Sequence, residues 1–150
     1  MLSPGLLTHW TREALEAARA GNDSLAAEIA GQITDQADAL DLLAACRVIA
    51  DTAARALRAM YQQPDAERGE AWVLDQLGDA AEHPPRLFAV RLVTAYANHD
   101  HDHVTALVAA AGASPAERAE SLWSLTTYAA GLDAQAARHH PTKGTDTDEH

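Results

Sequence analysis

The chain is short of the residues on which many functions depend. Its 150 residues hold one cysteine, one lysine and 5% aromatics. A lone Cys46 excludes an intramolecular disulfide. It falls on an apolar helical stripe, so a buried, inert thiol is expected there and not a nucleophile. No run nears the ~18 apolar residues of a membrane span. The start, MLSPGLLTHW, lacks the basic and apolar segments of a secretory signal, so a cytoplasmic protein is expected. There is no phosphate-binding glycine loop, nucleophile elbow or Ser/His/Asp arrangement. Positive charge is scarce: 11 Lys and Arg face 22 Asp and Glu, a net charge of −11. That balance argues against direct nucleic-acid binding and against an anionic membrane surface. The expected partner is a protein, a basic one being the natural complement, or a second copy of the chain.

What is abundant is alanine, together with the punctuation of helices. Ser3-Pro4 predicts a helix opening, with serine as N-cap and proline at the first position. That helix buries Leu7, Trp10 and Ala14, leaves Arg12, Glu13, Glu16 and Arg19 outside, and stops at Gly21. Asn22-Asp23 opens a short helix through Leu25, Ile29 and Ile33. The longest uninterrupted pattern covers about 35–61, with Thr34 or Asp35 as its cap. It carries two apolar stripes, one through Leu40, Leu43, Arg47, Ala50, Ala54, Leu57 and Tyr61, the other through Leu42, Cys46, Ile49, Ala53, Ala56 and Met60. Two stripes imply neighbours on two sides, as for a central helix.

An acidic helix is expected over 65–82, broken by His83-Pro84-Pro85. A helix from Pro85 to about Asn98 follows, then a short one from Val104 to Ala111. Ser114-Pro115-Ala116-Glu117 spells a capping box for the last helix, which Gly131 is expected to interrupt. Residues 139–150 are polar and small, and read as a disordered tail. The expected fold is therefore all-α, one domain over 3–138 with six to eight helices. Shifting the chain by 79 positions aligns Asp23 with Asp102, Ile29 with Val108, Cys46 with Leu125 and Ala50 with Ala129. This suggests two pseudo-repeated three-helix units around the 35–61 helix.

One segment carries candidate metal ligands. His99, His101 and His103 alternate with Asp100 and Asp102, and imidazole with carboxylate suits zinc or another divalent metal. An extended chain would point all three histidines to one side, whereas a helix would align only His99 and His103. The competing reading is a solvated loop that caps the next helix, with no cofactor. His99-Asp100 also invites comparison with the HD-type metal-dependent phosphohydrolases, which are all-helical and add a further His and Asp; His83 and Asp133 would be those ligands. The pair here, however, stands in a polar hexapeptide and not on a core helix. The expected function is a non-enzymatic, acidic protein-interaction module. The alternatives are a metal-dependent enzyme or metal-binding protein built on 99–103, and a DNA mimic presenting the acidic 65–82 helix to a basic protein.

Overall fold

The computed structural model describes residues 2–73 and 83–139. Among these there is no strand. Six α-helices follow in order: α1 (Pro4–Arg19), α2 (Asp23–Gln36), α3 (Ala39–Met60), α4 (Pro84–Ala97), α5 (His101–Ala109) and α6 (Pro115–His139). A 3₁₀ turn, Ala66–Arg68, lies between α3 and α4.

Local chemistry sets most of the boundaries. The Ser3 hydroxyl accepts from the Leu6 amide at 3.2 Å and opens α1. Gly21 ends it in the left-handed region, φ 77°. There the Asn22 amide donates to the Ala17 carbonyl at 2.8 Å and the Gly21 amide to Ala18 at 3.1 Å, a Schellman closure. Asn22 then caps α2, its side-chain oxygen accepting from the Leu25 amide at 3.3 Å. α6 opens on the expected box: the Ser114 hydroxyl accepts from the Glu117 amide at 3.2 Å, and the Glu117 carboxylate accepts from the Ser114 amide at 3.4 Å.

Several expectations need correction. The helix expected over 35–61 begins at Ala39, because Asp38 and Asp41 form a capping box at 2.8 and 3.2 Å. Thr34 belongs to α2, where its buried hydroxyl donates to the Ala30 carbonyl at 3.1 Å. The first of the two stripes fails at both ends and at Arg47: Leu40 is 74% exposed, and Arg47 and Tyr61 are exposed as well. Leu25 is also exposed. The acidic helix is not formed over Asp65–Val73, which makes the 3₁₀ turn and then runs without regular structure. The rest of that expected helix, 74–82, lies outside the described residues, as does 140–150 of the expected tail.

Gly131 does not break α6, which at 25 residues is longer than the 22 of α3. One interior glycine costs a helix only about 1 kcal/mol relative to alanine. The buried Ala129, Ala130 and Ala136 around it are held by packing that outweighs this. α6 packs on α1, α2, α3 and α4, while α3 packs on α1, α4, α5 and α6. The centre of the molecule is thus a pair of helices. Small residues on both, such as Ala45, Ala50 and Ala53 facing the interior of α3 and Ala129 on α6, let the backbones approach. Ile33, Ile49, Leu57, Leu92, Leu122 and Leu125 are fully buried and carry the apolar stabilisation, about 1.5–3 kcal/mol each. Thr11 and Thr126 are also fully buried, and each hydroxyl donates to the carbonyl four residues back at 2.7 Å.

Candidate functional site

The face of α1 turned toward α3 carries Thr8, Arg12, Glu16 and Arg19, spaced by three or four residues and so aligned along one side of the helix. Opposite them α3 presents Arg47, Val48, Asp51, Thr52 and Arg55 at the same kind of spacing, and Tyr96 of α4 closes one end. Between these walls lies an open cleft of about 700 Å³, within the ordinary size range of ligand sites. Four arginines against two carboxylates leave the lining positive, in a chain whose net charge is −11.

Asp51 in the cleft and Asp133 beside it are already engaged. Asp51 accepts from the Tyr96 hydroxyl at 3.0 Å through one oxygen and pairs with Arg55 Nε at 2.8 Å through the other. Burial pushes the Tyr96 phenol above its ordinary range, the Asp51 hydrogen bond and charge add to this, and Arg58 and Arg55 oppose it. The phenol therefore stays protonated as a donor to Asp51. Arg19 pairs with Asp133 of α6 at 2.6 Å. Arg12 and Arg47 are exposed, one on each wall, and among the described residues neither has a side-chain partner.

The His/Asp segment is neither extended nor a helix from His99, and Asp100 caps the helix that follows, as the capping reading expects. His99 follows Asn98, the C-cap of α4, and adopts the left-handed region, φ 61°. The His99 amide donates to the Tyr96 carbonyl at 3.0 Å and the Asp100 amide to Ala95 at 2.9 Å. Asp100 caps α5, accepting from the His103 amide at 3.2 Å, so His101 and His103 fall in the first helical turn. α5 thus starts three residues earlier than expected, and the segment is not extended. His101 stands edge-on to Tyr96 at 6.5 Å, and the His99 and His101 rings are 6.4 Å apart. His103 Nδ1 lies 3.9 Å from the Asp100 carboxylate, both about half exposed. His83 precedes α4 and Asp133 is held by Arg19. Among the described residues, no three His, Cys, Asp or Glu side chains are grouped to hold a metal ion.

Two further hollows are lined by described residues. An apolar groove of about 380 Å³ lies between the α2–α3 junction and α5, with Leu40 and Leu43 on its wall. A smaller one, about 280 Å³, runs along α4 beside Trp72 and Val73. There Asn98 grips the main chain of Trp72 at both groups, its oxygen accepting from the amide at 2.7 Å and its nitrogen donating to the carbonyl at 3.0 Å. Cys46 is fully enclosed, and burial pushes its thiol up to about 12, which leaves almost no thiolate at neutral pH.

Sequence reasoning missed the arginine cleft. Arg12 and Arg19 look like a solvated helix face, and Arg47 sits within an apparently apolar stripe. The available signal was two helices each carrying arginines seven or eight residues apart, which no single-helix pattern connects. Among the described residues, no helix is long and apolar enough to cross a membrane. Comparison with protein-family models, curated proteins and solved structures gives no match.

Proposed function

We propose that the protein is a non-enzymatic protein-interaction module that engages its partner through the α1–α3 cleft. The observation that carries this reading is the concentration of four arginines on one cleft of a strongly acidic chain. Asp51, the carboxylate on the α3 wall, is committed at both oxygens to Tyr96 and Arg55. That arrangement fixes charge in place, as a recognition surface requires. Net charge alone favours a basic partner, but the free guanidinium groups of the cleft favour an anionic contact. The test is capture from a lysate of the source organism by wild-type protein and by the R12E/R47E variant, with light scattering of the complex. A protein captured by the wild type and lost with the variant is expected. Identical capture by both, or a lone monomer in each case, overturns the reading.

We further infer that the scaffold is two three-helix units, α1–α3 and α4–α6. The same devices recur in the same order. Pro4 and Pro84 open the first helix of each unit. Asn22 and Asp100 each close one helix through an amide and cap the next through a side chain. Asp38 with Asp41, and Ser114 with Glu117, box the third. The packing also exchanges between units: α1 and α2 lie on α6, α4 and α5 lie on α3, and α3 meets α6.

A further inference from the structure

We infer that the α1–α3 cleft takes an acidic peptide segment of its partner. The inference rests on the interaction reading above and names the chemistry of the ligand.

Arg12 and Arg47 stand on opposite walls with no described partner. A ligand that satisfies both must present negative charge to two sides at once. Guanidinium recognises carboxylate through paired N–H donors, and one such contact at an exposed site contributes little. A chain bearing several carboxylates supplies enough of them together. The acidity of the rest of the molecule does not cancel this field. At physiological ionic strength charges are screened beyond about 8 Å, so within the cleft, where Arg19 and Arg55 are paired with Asp133 and Asp51, Arg12 and Arg47 outweigh Glu16.

The test uses fluorescein-labelled hexaglutamate, with hexaglutamine as control, followed by anisotropy on the full chain at 0.15 M salt. Hexaglutamate is expected to bind and hexaglutamine not to. R12A/R47A is expected to weaken binding by about tenfold or more, since it removes two charge-assisted contacts. R86A, which removes an exposed arginine outside the cleft lining, is expected to leave it within about twofold. T52E, which adds a carboxylate to the α3 wall, should also block the peptide and covers the case in which R12A/R47A folds poorly. No binding, equal binding of hexaglutamine, unchanged affinity in both cleft variants, or displacement by equimolar inorganic phosphate would each overturn the inference. Loss of partner capture in R12E/R47E without hexaglutamate binding leaves the interaction reading standing and removes only the acidic ligand. Hexaglutamate binding with unchanged capture does the reverse.

Discussion

His99 holds the one left-handed backbone conformation given to a described residue other than glycine. It occupies the place after α4 that Gly21 occupies after α1, so its role in the chain is conformational before it is chemical. A left-handed conformation costs a residue with a Cβ roughly 1–2 kcal/mol, part of which glycine gives back in unfolded-state entropy. His99→Gly is therefore expected to raise stability by about 0.5–1 kcal/mol in urea denaturation; a loss would mean that the imidazole holds something in place. Asp41 offers a second check at the same scale. The Leu2 amide, donating at 2.9 Å, and to a lesser degree the Asp38 amide hold its carboxyl below the ordinary 3.8, against the opposing pull of desolvation. The folded state thus binds fewer protons there than the unfolded chain, so the contribution is complete above the ordinary carboxylate range and lost as pH falls through the depressed value. Stability curves of wild type and D41N should run parallel from neutral pH down to about pH 5 and converge in stronger acid. Curves that stay parallel to pH 2 would disprove the linkage.

Among the elements, starts and stops were legible wherever one short motif decides them. Ser3-Pro4, Gly21 and the Ser114–Glu117 box act within four residues and needed no knowledge of the fold. Ser114→Ala is expected to cost about 1 kcal/mol. Gly112→Ala at the same junction should cost more, about 1–3 kcal/mol, because an added Cβ would lie 2.5 Å from the Glu117 Cβ and 3.0 Å from the Arg118 amide nitrogen. Chemical denaturation of the two variants gives the order, and a neutral Gly112→Ala would show that this turn relaxes freely. The start of α3 was not legible, because Thr34, Asp35 and Asp38 are all competent caps. Burial of Thr34 inside α2 decided between them. The 65–73 stretch has helical composition, yet the Trp72 main chain bonds to Asn98, which is 26 residues away. No local pattern reports such a contact. Gly131 misled in the opposite direction: its propensity cost is real, and tertiary packing overrides it.

For the whole molecule, the packing of α1 and α2 on α6, and of α4 and α5 on α3, makes the first and second halves of the chain dependent on each other. Residues 1–63 or 64–150 produced alone are therefore expected to show no cooperative melt, and the two co-expressed to form a one-to-one complex by size exclusion with light scattering. A half that folds by itself would show that the shared α3–α6 interface is dispensable.

By itself the sequence determined that the chain is helical, where most helices are capped, that Cys46 is enclosed and that the molecule is acidic. These follow from periodicity, short-range hydrogen bonding and composition. The tertiary structure alone decided that α6 shares the centre with α3, that His99 takes a left-handed turn before α5, and that arginines of α1 face arginines of α3. Helical periodicity says which side chains share a face, but not which other face stands opposite. The cleft is made by that second relation.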